Sequence, residues 1–548
     1  MGYWTPVDIV IRGGHVIDGT GGAGRDADVW LRDSRIASID ARGTGAAAAH
    51  RVIDARGQVV APGLIDIHTH SDFTLPLAPR AESKIRQGVT TEVVGNCGFS
   101  AAPALPGRAH VLAEYLASSA PGLPFSETTF AEYAARFPAT SLNVILQVGH
   151  NTLRLMTAGM DDRPLSASEL AQMERLLEEA LVAGAWGLSS GLFTAPGAAA
   201  PPDEIHALAR VLRRHDATYA THVRDEANHV FDAVREAIAV AEKTAVHVQI
   251  AHLKLSGLDN WGGAERLLAE IDGARQRGLA VDCDAYPYDT ATNPLRNLLP
   301  RWVMEGGIAA MLERLARRDV RGRVRDEIAR QGLTNFGRIP SWDVVRIAIS
   351  PGLPQEAGRS LGDIARRRGA DPLDTVCDVI LADRGATRIL ITSMSEEDVR
   401  TITSTPWVLA GSDGNAIAPD GVTGQGKPHP RYYGTHARTL GQCVRELKWL
   451  TLPQAVAKVT GGAAAALGLG GRGLLREGYA ADVVVFDPAR IADRATYENP
   501  HQFAAGTSTV IVNGDVVIDG GDHTGALPGR VLRRQEHRVA RRPVIESR

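Results

Sequence analysis

The chain has little cysteine, little lysine and no long apolar run, and each shortage excludes something. Four cysteines in 548 residues, Cys97, Cys283, Cys377 and Cys443, have no paired spacing, which argues against a disulfide framework. No stretch approaches the roughly 20 apolar residues that a spanning helix needs, so no membrane partner is expected. The N-terminal Met1-Gly-Tyr-Trp lacks the charged and then apolar run of a signal peptide, and a cytoplasmic protein is expected. A net charge of −3 gives no general attraction to nucleic acid or to an anionic surface. The only basic cluster is the C-terminal tail, with Arg530, Arg533, Arg534, Arg538, Arg541 and Arg542, and it reads as a solvated, partly disordered end. Lysines number only six, which makes Lys254 conspicuous. Nothing in the pattern speaks to oligomeric state.

What is present describes a large globular chain. Hydrophobic content is 44%, ordinary for a packed protein, and the length suggests more than one domain. From Asp8 to Pro62 short strand-like runs alternate with Gly-rich turns: Ile9–Arg12, the pair Gly13-Gly14, then His15–Asp18, Ala27–Leu31 and Arg35–Ile39. The texture returns in Ala481–Phe486 and Val510–Asp519. Two β-rich ends around a long middle suggest a small β-sandwich built from both termini, roughly residues 1–61 and 471–548. The middle, about 62–470, alternates strand and helix. Strand-like runs are Leu64–His70, Thr91–Asn96, Leu142–Val148, Gly187–Gly191, Ala217–Val223, Ala245–Leu253, Leu279–Ala285 and Trp407–Ser412. Helical patterns such as Ala167–Ala183, Pro202–His215, His229–Lys243 and Gly263–Gln276 separate most of them. Eight strands with intervening helices predict an α/β fold of the (β/α)8 TIM-barrel type. The interval before the last strand is too long for one helix, so about 292–404 reads as an inserted segment, much of it helical and Arg-rich.

The chemistry-bearing residues follow the barrel pattern. Pro62–His70 reads Pro-Gly-Leu-Ile-Asp-Ile-His-Thr-His, and alternate side chains on a strand share a face, so His68 and His70 point the same way. Imidazole suits Zn, Fe, Ni or Cu better than Mg or Ca. Cys97, His222, His252 and Asp413 also end strand-like runs, where barrel active sites lie. His150, His206, His215, His229 and His247 have no such placement. Asp66 reads as a support for its own strand end.

Together these segments resemble the amidohydrolase superfamily, and within it the N-acyl-D-amino-acid deacylase (D-aminoacylase) family. The matching stretches are Ala61–Ser71, Gly88–Gly98 with Asn96-Cys97-Gly98, Thr221–Glu226 (THVRDE), His252–Lys254, Asp284–Tyr288, Gly411–Gly414, Pro428–Gly434 and Glu477–Pro488. The resemblance implies a zinc-dependent hydrolysis of a linear amide in a small-molecule substrate. It implies one tightly bound Zn2+ on Cys97, His222 and His252, and a second, weaker position at His68, His70 and Asp413. Asp413 would be general base and then acid. Arg431, Lys254 and Tyr286 would hold a substrate carboxylate.

Two departures bear on substrate. Members of the family often show Gly-Leu-x-Tyr-x-Pro after the fourth strand, whereas this chain reads Gly191-Leu192-Phe193-Thr194-Ala195-Pro196, so Thr194 stands where a tyrosine would contact the substrate carbonyl. After Tyr288 the chain has Asn293-Pro294, and Leu299 falls near an arginine of acid-specific members, which favours neutral or apolar substrates. Arg296 lies nearby in sequence. Other readings keep the fold: hydrolysis of another N-acyl or aryl amide with a free carboxylate, a cyclic amide or imide hydrolase, or a non-catalytic barrel scaffold. Ser189 and Ser190, where a bridging lysine or glutamate would lie, argue against the cyclic-amide reading.

Overall fold

Eight short parallel strands run through the middle of the chain in the computed structural model, which describes residues 7–43, 49–120 and 122–539. They are β1 (Leu64–Asp66), β2 (Val89–Val94), β3 (Asn143–Leu146 continued by Val148–Gly149), β4 (Gly187–Gly191), β5 (Thr218–His222), β6 (His247–Ile250), β7 (Val281–Ala285) and β8 (Val408–Ala410). Each pairs in parallel with the next in sequence. β8 returns to β1 through the parallel bridge Thr69–Gly414, reinforced by Asp413 N–H to His68 C=O at 2.9 Å. The eight expected strands are therefore the eight staves of a closed barrel. Several stop short of their apolar runs, because the final residues bend off the strand into loops.

Helices cover the barrel for reasons visible in their ends. Ala167–Val182 starts at Ser166, whose hydroxyl accepts from Glu169 N–H while the Glu169 carboxylate returns to the Ser166 N–H, a reciprocal cap. Pro202–Arg214 begins on proline, whose fixed φ suits the first helical position. Val230–Thr244 and Ala264–Gln276 follow the same alternation. Each turns an apolar face such as Val230, Val234, Ala237 and Ala241 to the barrel. Among the described residues no helix is long and apolar enough to cross a membrane.

Both chain ends meet in one nine-stranded sheet, where Val483–Phe486 pairs antiparallel with Val59–Pro62. The expected β domain built from both terminal regions is there, its strands linked in one continuous sheet that serves two cores. Val60, Val483, Val485 and Ile511 pack inside the β domain, while the alternate residues Val59, Ala61, Val484 and Val510 pack on the barrel side. Gly13-Gly14 does not reverse the chain as expected. Val7–Val16 is one strand with a bulge between Ile11 and Gly14, and a Cβ on Gly14 would sit 2.4 Å from Val60 Cγ2.

Much of the inserted segment is helical, as expected, and it adds a small sheet. Three antiparallel strands, Thr290–Pro294, Val345–Ile349 and Arg388–Thr392, pack with helices such as Gly307–Leu315 and Pro372–Ala382 around a separate core that includes Leu298, Leu299, Ile347 and Ile389. The C-terminal tail also departs from expectation. Val531 bridges Val144, and the buried Arg534 guanidinium donates to the carbonyls of Leu181, Ala185 and His215. Apolar Leu532, buried two residues before Arg534, draws that stretch onto the barrel. Arg541 and Arg542 lie outside the described residues.

Candidate metal centre and substrate cavity

The bends after five strand ends carry polar donors to one place. Three of the residues there, Cys97 (φ 53°), His252 (φ 35°) and Asp413 (φ 48°), hold left-handed backbone, which costs a non-glycine residue on the order of 1–3 kcal/mol. Gly98 is required beside Cys97: a Cβ there would meet Asn151 Oδ1 at 2.2 Å and Gly191 N at 2.6 Å.

Donor atoms from His68, Cys97, His252 and Asp413 all lie within 4.8 Å of one another, and those of His222, Glu226 and His252 form an adjoining group. Cys97 Sγ is 3.3 Å from His68 Nε2 and 3.3 Å from His252 Nε2. His70 Nε2 reaches Asp413 Oδ1 at 3.1 Å, and His68 Nε2 is 3.7 Å from the same oxygen. His222 packs its ring against His252 with centroids 4.4 Å apart. Burial alone would raise the Cys97 thiol, yet the charges of His68 and His252 bring it well below the ordinary thiol value. A thiolate with imidazole and carboxylate donors, buried and convergent, can hold a metal ion.

A second layer orients these groups. Asp284 sits 3.2 Å from His68 Nδ1 and accepts from His252 N–H at 3.0 Å and from Gln249 Nε2 at 2.7 Å. Glu226 lies 3.0 Å from His252 Nδ1, 3.5 Å from His222 Nε2 and 2.5 Å from Lys254 Nζ, and it accepts from Asn335 Nδ2 at 2.8 Å. Against burial, the charges of His222, Lys254 and His252 hold Glu226 well below the usual carboxylate range. Neither Glu226, Asp284 nor Asn335 stood out in the sequence as a site residue. The first two lie inside quoted motifs, in Thr221–Glu226 and Asp284–Tyr288; Asn335 lies in the insert without any signal.

Asp66 fills the supporting place expected of it. It receives Lys84 Nζ at 2.8 Å and Ser412 N–H at 2.9 Å, and Lys84 also binds Ser412 Oγ at 2.6 Å and faces Glu92 at 3.3 Å. All four side chains are fully buried, and burial pushes Glu92 up to about 7. This cluster ties β1 and β2 to the residue before Asp413.

The metal cluster opens into a cavity of about 160 Å³ whose walls include Phe73, Phe99, Phe193, Tyr286 and Arg431. Arg431, 2% exposed, gives Nη2 to Asp413 Oδ2 at 2.8 Å and stacks over the Tyr286 ring at 4.4 Å. Its Nε and Nη1 and the Tyr286 hydroxyl are buried without a hydrogen-bond partner. Against burial, Arg431 above all keeps Asp413 well below the usual carboxylate range. Lys254 lies 5.6 Å over the same ring, with Glu226 and His252 Nδ1 (2.7 Å) as its partners. Two expectations need correction. Thr194 is buried and does not line the cavity, and the Tyr115 hydroxyl beside it donates to the carbonyl of the next residue, Ala195; its neighbour Phe193 takes the lining position, its ring stacked on His222 at 4.0 Å. Leu299 packs in the core of the insert and does not line the cavity either. Ser189 and Ser190 spend their hydroxyls on Gly95 C=O and on Tyr219. His150 and His247 pair with Glu204 and Asp282, each at 2.8 Å, and His215 pairs with Glu178.

With this geometry in hand, comparison with known proteins is specific. Residues 51–518 match the model of the amidohydrolase family. The D-aminoacylase of Alcaligenes xylosoxydans xylosoxydans is 37% identical over 531 residues, covering 96% of this chain and 98% of that one. The N-acyl-D-glutamate deacylase of the same organism is 38% identical, covering 96% and 97%. The solved N-acyl-D-glutamate deacylase of Bordetella bronchiseptica, complexed with zinc and a phosphonate mimic of the tetrahedral intermediate, superposes with a TM-score of 0.80 at 36% identity, covering 96% of this chain and all of that one.

Proposed function

The chain belongs to the amidohydrolase family, and from that premise we propose that it hydrolyses N-acyl-D-amino acids to a carboxylic acid and a free D-amino acid, with zinc as its metal. One observation carries the reading furthest. A thiolate–imidazole–carboxylate donor set faces the same cavity as buried Arg431 and Tyr286 donors that have no partner. Cysteine and histidine are good zinc donors, and we assign Cys97, His222 and His252 to a tight site and His68, His70 and Asp413 to a weaker one beside it. When bound, zinc supplies Lewis acidity, polarising the scissile carbonyl and acidifying the attacking water.

The side chains do the rest. Arg431 Nη1 and Nε, with the Tyr286 hydroxyl, receive the α-carboxylate, and Lys254 adds positive charge over the same ring. This fixes the amide against the metal cluster. Asp413 takes the proton of the attacking water and delivers it to the departing nitrogen, which would otherwise leave as a very poor amide anion. Its pairing with Arg431 keeps it ionised, the form a base requires. The names of the relatives support the D configuration.

The test is hydrolysis of paired N-acetyl-D- and N-acetyl-L-methionine, -leucine and -glutamate by protein of known zinc content. Amine release from the D series alone is expected, and absence of turnover in both series would sink the reading. Asp413→Ala should retain the tight metal while kcat falls by roughly 10²–10⁴-fold. Loss of metal together with activity would make Asp413 chiefly a ligand.

A further inference from the structure

Asn335 carries a side chain of the inserted segment to the layer behind the metal cluster. It sits in the turn 333–337, closed by Leu333 N–H to Gly337 C=O and Gly337 N–H to Leu333 C=O, each at 2.8 Å. Thr334 seats this turn on the insert, giving its N–H to Leu298 C=O at 3.1 Å and its hydroxyl to Leu299 C=O at 2.9 Å. The loop after β6 receives the other side. Leu258 N–H reaches Arg338 C=O at 2.9 Å, and a Cβ on Gly257 would meet the Phe336 carbonyl oxygen at 2.7 Å. Asn335 itself is 2% exposed and holds left-handed backbone at φ 66°. Glycine, asparagine and aspartate tolerate that region best. The neighbours select among the three. Asn335 Oδ1 accepts from Glu226 N–H at 2.9 Å, and Nδ2 donates to Glu226 Oε2 at 2.8 Å. Aspartate would oppose the Glu226 carboxylate, and glycine would leave both Glu226 groups without this partner.

Glu226 is shared by both histidines assigned to the tight site. Its Oε1 faces His252 Nδ1 at 3.0 Å, and its Oε2 faces His222 Nε2 at 3.5 Å. A histidine that binds a metal through one ring nitrogen is oriented by what the other nitrogen meets. Lys254 holds Oε1 from one side, and Asn335 holds Oε2 and the Glu226 backbone from the other. The Asn335 amide nitrogen also stands 3.3 Å from His222 Nε2, so the longer of the two histidine contacts is the one that leans on it. We propose that Asn335 is a positioning residue of the metal centre: it holds Glu226 Oε2 against His222, and through it the insert sets the metal affinity of a site whose ligands all come from the barrel. The next residue, Phe336, lines the cavity, so one turn of the insert serves both the substrate wall and the metal centre. The inference rests on the assignment of His222 and His252 to the tight site.

The experiment measures zinc affinity of the full-length protein by chelator competition, and the visible spectrum of cobalt-loaded protein, in wild type, Asn335→Gly and Asn335→Ser. Glycine adopts φ 66° without strain, so that variant removes the amide and keeps the turn. Its zinc affinity should fall by roughly 10–100-fold. The circular dichroism of metal-free protein should stay as in wild type, and the thiolate-to-cobalt band of Cys97 should persist while the ligand-field bands shift. A residue with only a structural role would lower the stability of metal-free protein and leave affinity and spectrum unmoved. The serine hydroxyl is too short to meet both Glu226 groups, so Asn335→Ser should lose affinity in the same way and carries the test if the glycine variant fails to fold. In Glu226→Gln protein, adding Asn335→Gly should cost less than about threefold more, because the effect runs through that carboxylate. Unchanged zinc affinity in a folded variant overturns the proposal alone, and so does a loss that adds in full to that of Glu226→Gln. Wild-type protein that binds no zinc overturns the metal assignment beneath it.

Discussion

Glu226→Gln isolates the layer behind the metal centre. The carboxylate is 2% exposed and sits among Lys254 at 2.5 Å, Asn335 Nδ2 at 2.8 Å and His252 Nδ1 at 3.0 Å. Glutamine keeps the shape but removes the charge and turns one acceptor into a donor. Lys254, 5% exposed, is left without its counter-ion, and Asn335 meets a donor where it donated. Breaking one partner of a buried pair costs about 3–5 kcal/mol, because the remaining charge stays uncompensated. Loss of an outer-shell partner of a metal-binding histidine lowers metal affinity by roughly 10–100-fold. The assays are denaturant unfolding of metal-free protein and zinc affinity by chelator competition. The double variant Glu226→Gln/Lys254→Met removes both charges and should regain about 2 kcal/mol over the single one. A single-variant cost below about 1 kcal/mol, with no recovery in the double variant, would refute the view that Glu226 neutralises Lys254.

Two further perturbations probe buried lysines. Lys84→Met strands Asp66 and Glu92 with no cation among them and should destabilise the protein by about 3–5 kcal/mol in denaturant unfolding. Lys458 donates to the carbonyls of Thr405 and Val408 and, among the described residues, has no carboxylate partner, and burial lowers it from 10.5 to about 7. Between those values the unfolded chain binds more protons than the folded one, so stability rises with pH across this window. Measured against Lys458→Met to cancel other groups, the gain should be roughly 3 kcal/mol between pH 7 and pH 9.5, and a flat difference would contradict the depressed value.

The barrel was legible because its strands and helices obey different periods, and the apolar runs are separated by helices with sequence-visible starts such as Ser166 and Pro202. Placing candidate ligands at five strand ends then fixed that they would converge, since in a closed barrel all such ends lie on one face. What escaped the reading shares a physical cause: each feature depends on a partner remote in sequence. Glu226 looks like one more surface acid in Arg-Asp-Glu until Lys254 and Asn335 surround it. Arg534 looks solvated until Leu532 draws its stretch beneath the barrel. Thr290–Pro294, with two hydroxyl residues, an asparagine and a proline, carries no strand period and forms one only because Arg388–Thr392 pairs with it. That pairing also helps put Arg296 and Arg388 on one cavity wall, 92 residues apart in the chain. The insert therefore does more than cover the barrel: the face that carries the metal ligands is set by the barrel itself, while the charge at the far end of the cavity is set by the insert.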